Sequence, residues 1–365
     1  MLAPNLSHLH LVANSLNQWC PMSRISAAFC HAFGNPFVIE DIEIRTSIDC
    51  EVEVNFGAFA ICHSDIIYAK TYWDGSLPAV YGHKAAGTVT ANGPNTKDVK
   101  ICDKVVVTLI QSCGTCLSRS AAWPTNFEET YNDDQGPIKT ANSGKLHQEM
   151  ACDDFTEKVA VNASQVVTLP NGISMEAASL LTCGVITGID AVVNTTKVHP
   201  SLDIVVIGTG SVGMNAIRGA KIAIAHEFGT IDAVFSSTGE PWHEAKAIMG
   251  QSADAILGTG SVATVYDQAP LYPVKGGKVI MIGLPASSTI SNYEAAKLAA
   301  SDQGMIGSKM GDVVIKLDVS WMVDLYNQCR LKLDELVFST WSLDLINKAI
   351  TNTKIGAAKR NLIVF

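Results

Sequence analysis

Asp203-Ile204-Val205-Val206-Ile207-Gly208-Thr209-Gly210-Ser211-Val212-Gly213 is the stretch whose reading decides the fold. Four consecutive apolar residues without alternation read as a strand buried on both faces, and the run Met214 to Ala225 beyond it reads as a helix. Glycines at the first, third and sixth loop positions between such a strand and helix form a dinucleotide fingerprint. Gly208 makes the tight turn, Gly210 lets a pyrophosphate approach the backbone, and Gly213 lets the helix pack on the strand. Ser211 and Val212 open that helix, where free N–H groups favour phosphate.

Downstream, Thr230 to Ser236, Ala253 to Leu257 and Lys278 to Gly283 read as further buried strands separated by helical stretches, the pattern of a parallel, doubly wound α/β sheet. Gly258-Thr259-Gly260-Ser261-Val262 repeats five letters of the first loop, with Ala263 in place of the third glycine. Its position predicts a later loop of the same sheet, on the nicotinamide side. The fingerprint normally continues with an acid roughly 20 residues on, at the end of the second strand. Counting offers Asp232, but Asp232 lies inside the run, and the strand-end position is Ser236 or Ser237. Serine removes the carboxylate that would repel a 2′-phosphate, yet no arginine follows to attract one. NAD and NADP both remain open.

Upstream the texture is that of strands. Glu51-Val52-Glu53-Val54-Asn55-Phe56 alternates with period two, Lys104 to Leu109 is β-branched, and strand texture returns from Glu157 to Leu169. The span from about 111 to 150 is polar and predicts an excursion rather than core. Ser174 is placed to cap a helix running to Leu181. An all-β-like domain therefore precedes the α/β domain, in keeping with 365 residues.

Apolar residues make up 47 % and charged residues 17 %. Twenty-six basic against 35 acidic residues leave a net charge of −9, which argues against a nucleic-acid binder or a basic membrane-surface protein. No run of about 18 uncharged apolar residues appears. The ten cysteines are scattered, as reduced thiols with metal ligands among them would be, and residues 1–22 carry no Lys or Arg. A soluble, cytoplasmic protein is expected. There is no GxSxG motif and no acid pair of glycosidase type.

Cys62-His63-Ser64-Asp65, Gly82-His83 and Cys183-Gly184-Val185 supply two thiols and one imidazole, the donor set of a three-ligand catalytic zinc site. The spacings alone carry no force; the surrounding stretches do. Ile61-Cys62-His63-Ser64-Asp65, Leu77-Pro78-Ala79-Val80-Tyr81-Gly82-His83, Ser112-Cys113-Gly114-Thr115-Cys116 and Cys183-Gly184-Val185-Ile186-Thr187-Gly188 closely resemble the zinc-dependent medium-chain alcohol dehydrogenases, and among them the aryl (benzyl) alcohol branch. The resemblance runs in order from about Ser26 to Phe365.

It implies a GroES-like β-rich catalytic domain (23–184 and 316–365) and a Rossmann nucleotide domain (185–315), with 1–22 unassigned. Cys62, His83 and Cys183 would bind zinc, with Asp65 orienting the His83 ring and Ser64 taking the alcohol proton. Thr187 would touch the nicotinamide, Gly283 and Ser236 would line the dinucleotide, and Arg360 would meet its pyrophosphate. Leu109 and Trp73 would line the substrate pocket. A homo-oligomer acting on a small molecule is implied.

Five departures qualify this. Lys84 follows the zinc histidine where the family usually has Glu. The structural-zinc lobe keeps Cys113 and Cys116, but its third and fourth positions read Arg119 and Phe127, so one catalytic zinc and no structural zinc are expected. That CxxC pair reads as an inert remnant or a labile disulfide. The strand-end acid is missing, and about twenty residues of the usual strand–helix connection are absent before Ala253. Ile67 occupies the position where the family often places a relay histidine. Besides a dehydrogenase, the residues leave open a non-redox isomerase or cyclase, a catalytically dead binding protein, or a zinc-independent reductase.

Overall fold

The computed structural model describes residues 22–70, 73, 75–111, 125–126, 136–199, 201–224, 232, 234, 239–354 and 360–365. The residue readings at Ser236, Cys113, Cys116, Arg119 and Phe127 lie outside that set, as does most of the run 230–236.

In chain order the first half supplies β1 (Met22–Cys30), β2 (Val38–Arg45), β3 (Glu51–Ala60), helix α1 (His63–Tyr68), β4 (Ala79–Val80), β5 (Lys84–Asn92) and β6 (Lys104–Thr108). β7 (Ile138–Thr140), β8 (His147–Gln148), β9 (Lys158–Asn162) and β10 (Val166–Thr168) follow. Helix α2 (Met175–Thr196) leads to β11 (Ile204–Ile207), α3 (Ser211–Ile224), α4 (Pro241–Met249), β12 (Ala253–Gly258), α5 (Ala263–Gln268), β13 (Pro273–Met281), α6 (Ala295–Ala300) and β14 (Gly304–Gly307). The chain closes with α7 (Ile315–Asn327), β15 (Val337–Trp341), α8 (Ile346–Lys354) and β16 (Arg360–Val364).

Among the described residues these strands form three sheets. One runs β7-β2-β1-β4-β8, and a second runs β10-β6-β5-β3-β16-β15 with β9 also on β3. The third, β11-β12-β13-β14, is parallel throughout. The alternation in β3 is real: Val52, Val54 and Phe56 are buried while Asn55 is exposed, in antiparallel pairing with β5 and β9. Glu51 is buried too, because Arg45 takes both its carboxylate oxygens, at 2.5 and 2.8 Å. The polar span 111–150 is less of an excursion than its composition suggests. β7 and β8 join the first sheet, and Ile138 and Leu146 are buried in the core between the sheets.

Helix α2 corrects the expected stop at Leu181. The Ser174 hydroxyl accepts from the Ala177 N–H as expected, but the helix continues to Thr196, passing through π turns at Leu181–Val185 and Ala191–Thr196. It is apolar almost all round because it is buried almost all round. On length and composition its 22 residues could cross a membrane, but 89 % of its most apolar window is buried inside the protein, as in a core helix. Its first half packs on the second sheet and its second half on α3 and the parallel sheet. The boundary expected at 184/185 falls inside it. Gly188 and Gly219 let α2 and α3 approach closely: a Cβ at Gly188 would run into the Val212 carbonyl, and one at Gly219 would lie 2.9 Å from the Ile189 Cα.

Candidate metal and nucleotide site

α1 builds the first part of the site. Cys62 stands at its N-cap in extended conformation, and its backbone N–H donates to Asp65 Oδ2 at 2.9 Å. The other oxygen of that carboxylate, Oδ1, lies 2.9 Å from His83 Nδ1, with both side chains 1 % exposed. That bond leaves His83 Nε2 as the free donor atom, the arrangement by which metal-binding histidines are oriented. His83 follows Gly82, whose φ of +108° and tight packing on Asp154 and Phe155 favour glycine.

Cys183 comes from the first π turn of α2, and π turns recur at functional positions because they re-aim a side chain. Its Sγ lies 3.4 Å from His83 Nε2, and the ligand atoms of Cys62, His83 and Cys183 all lie within 4.8 Å of one another. The Ser64 hydroxyl is 3.7 Å from Cys62 Sγ. Two soft thiols and one oriented imidazole, buried together, fit a zinc ion that keeps an open position.

The electrostatics suit a cation. A hydrogen bond from the Cys183 thiol holds Cys62 well below the usual thiol range despite burial and favours a thiolate. The same shared proton, with burial, pushes Cys183 up to about 12. Burial opposes charge on His83, yet Asp65 and the two sulfurs hold its imidazole well above its ordinary value. Lys84 is 2 % exposed and its ammonium has no hydrogen-bond or ion-pair partner among the described residues; its charge favours the thiolate at both cysteines.

The glycine loop shows three distinct roles. Gly208 has φ +108°, in the left-handed region. A Cβ on Gly213 would run into the Gly208 carbonyl, so that position is closed to any side chain. A Cβ on Gly210 would meet nothing within 4 Å, which leaves space where a pyrophosphate could lie. Thr259 of the second loop braces the first: its N–H and hydroxyl both donate to the Ile207 carbonyl, at 2.9 and 3.0 Å.

Arg360, at the start of β16, is 8 % exposed and has no carboxylate partner among the described residues. Gly184 brings its guanidinium to the mouth of α3, since a Cβ there would lie 3.3 Å from the arginine Nη2 and 2.8 Å from Ser211 Oγ. A buried cation beside a helix N-terminus suits an anion. Sequence reasoning passed over His63, whose proton affinity is lowered by burial first and then, against the pull of Cys62, by the charges of Arg360 and Lys84. Its signal was adjacency to Cys62.

The remaining expectations are scattered more widely. Thr187 is buried on α2 with its hydroxyl donating to Met310 Sδ at 3.3 Å. Leu109 is half-buried between the two cores of the β-rich half. Trp73 stands edge-on to Tyr68 at 4.7 Å, and its indole N–H donates to the Pro285 carbonyl at 3.0 Å. Gly283, just past β13, packs on Gly260.

Residues 49–171 match the family described as the alcohol dehydrogenase GroES-like domain. Over 93 % of its length the chain is 28 % identical to an NDMA-dependent alcohol dehydrogenase of Amycolatopsis methanolica, covering 99 % of that protein. An alcohol dehydrogenase zinc-binding domain protein from Burkholderia ambifaria has a similar structure, with a TM-score of 0.86 at 27 % identity over 94 % of this chain and 100 % of that one. Benzyl alcohol dehydrogenase from Acinetobacter calcoaceticus shares the fold with the same TM-score, 24 % identity and coverage of 94 % and 99 %.

Proposed function

We propose that this chain, which belongs to the zinc-dependent medium-chain alcohol dehydrogenase superfamily, oxidises a hydrophobic aryl or allylic primary alcohol, or reduces its aldehyde, with NAD or NADP. One observation carries the reading: Cys62, His83 and Cys183 converge within 4.8 Å, with Asp65 orienting the histidine. When bound, zinc polarises the substrate oxygen and the nicotinamide ring exchanges a hydride with the adjacent carbon. The chain's own residues do the rest. Cys62, His83 and Cys183 hold the ion. Ser64 takes the hydroxyl proton, and Ile67 in place of a relay histidine leaves solvent as the next acceptor. Arg360, His63 and the N-terminus of α3 hold the pyrophosphate, while Trp73 and Leu109 give the pocket its apolar, aromatic character.

One zinc per chain is the expected stoichiometry, and the small-molecule enzyme would work as a homo-oligomer. The described cysteines are all unpaired, as in a reducing cytoplasm. Metal analysis tests the centre: about one zinc, lost in Cys62→Ala, supports the reading, and metal near zero sinks it. Titration with NADH and NADPH separates the two cofactors. Lys84, buried beside the ligands, favours a second reading in which the cleft performs non-redox chemistry. Zinc-loaded protein that binds dinucleotide yet shows no alcohol-dependent reduction across aryl and allylic alcohols would favour it.

A further inference from the structure

The segment Gly283-Leu284-Pro285 is held from two sides. On one side stands Tyr266 of α5, 5 % exposed, whose hydroxyl lies 3.1 Å from the Gly260 carbonyl and 2.5 Å from the Gly283 carbonyl. A phenol carries a single proton, so this is a three-centre bond that joins the loops after β12 and β13. Those loops already touch: Ile282 and Gly283 both donate to the Gly258 carbonyl, and a Cβ at Gly283 would run into the Gly260 carbonyl. On the other side, two residues along, the Pro285 carbonyl accepts from Trp73 Nε1 at 3.0 Å. Trp73 in turn leans edge-on against Tyr68 of α1, the helix that carries Ser64 and Asp65.

The loops after parallel strands form the wall of the ligand crevice in a doubly wound sheet. β12 and β13 stand in order on one side of β11, and through Trp73 and Tyr68 the loop after β13 is tied to α1, the helix that Cys62 caps. That side of the crevice therefore meets the reacting half of a dinucleotide. We infer that Tyr266 and Trp73 are positioning residues that hold Gly283-Leu284-Pro285 as one wall shared by the nicotinamide side of the crevice and the metal pocket. The inference rests on the nucleotide-binding reading above. Two lateral hydrogen bonds set the place of this wall, so loosening either one shifts the seat of the nicotinamide and leaves the seat of the adenosine diphosphate untouched.

Tyr266→Phe deletes the three-centre bond and keeps the ring, and Trp73→Phe deletes the indole N–H bond while leaving a smaller aromatic ring in place. Affinity for the reduced dinucleotide is read by fluorescence, and affinity for ADP-ribose or its 2′-phosphate by calorimetry. Each variant is expected to weaken the dinucleotide about five- to tenfold while the fragment binds within about twofold of wild type. The double variant is expected to lose less than the product of the two single losses, because both bonds act on one segment. Equal weakening of fragment and dinucleotide would reduce both residues to structural supports and overturn the inference. So would an unchanged dinucleotide affinity in both variants. Trp73→Phe, the less buried of the two, keeps the test decisive if Tyr266→Phe misfolds. Wild-type protein that binds no nicotinamide dinucleotide would instead remove the underlying reading.

Discussion

Lys84 shows how a residue changes meaning between sequence and structure. A cation next to a zinc ligand reads as repulsion, worth several kcal/mol at about 4 Å in a partly screened site. The site's own protons alter that balance. A hydrogen bond links the Cys62 and Cys183 thiols, and Asp65 with the two sulfurs raises the proton affinity of His83 against its burial. Binding Zn²⁺ to these ligands therefore displaces protons, and their release offsets part of the charge that the ion brings near Lys84. Calorimetry in buffers of different ionisation heat should find protons released as zinc binds at neutral pH. Lys84→Met should accordingly change zinc affinity by less than about tenfold at pH 7. Zinc uptake without proton release would show that the ligands are already bare.

At the scale of elements, the strand–loop–helix unit separates folding from function within six residues. Gly213→Ala must displace the Gly208 carbonyl, so a loss of about 1–3 kcal/mol is expected, visible in the melting temperature. Gly210→Val enters open space, so the melting temperature should hold while dinucleotide binding disappears. Dinucleotide affinity retained in Gly210→Val would make the loop a turn and nothing more. A second element-scale contact joins α2 to α7. Burial first, then the neighbouring Asp318 carboxylate, push the Asp190 carboxyl up to about 9. A carboxyl that is neutral when folded and ionised when unfolded loses stability as pH rises from about 4, its unfolded value, to about 9. Asp190→Asn cannot ionise, so its melting temperature relative to wild type should rise steadily from pH 5 to pH 9. A constant difference across that range would show that Asp190 does not titrate on unfolding.

For the molecule as a whole, α2 is the shared beam. It supplies Cys183 to a site whose other ligands come from α1 and the start of β5, and it packs on both the antiparallel and the parallel sheets. A metal held this way ties the beam to the β-rich half. Removing zinc with a chelator should lower the melting temperature of wild type and leave Cys183→Ser unmoved, while added dinucleotide raises it with the logarithm of concentration. A chelator effect of equal size in both proteins would place the stabilising metal elsewhere.

By itself the sequence determined what depends on neighbours a few residues apart. The glycine loop, the alternation in β3 and the Ser174 cap are local consequences of backbone geometry and side-chain period. The metal set was legible only through resemblance, because Cys62, His83 and Cys183 are 21 and 100 residues apart and no local rule links them. Tertiary structure alone decided that α2 runs on to Thr196, that Lys84 is buried, that Arg360 and Ser211 both close on Gly184, and that Tyr266 and Trp73 grip the segment after β13. Each depends on which surfaces face one another once the sheets pack, and burial, unlike helix or strand period, is a property of the whole chain's arrangement rather than of any segment.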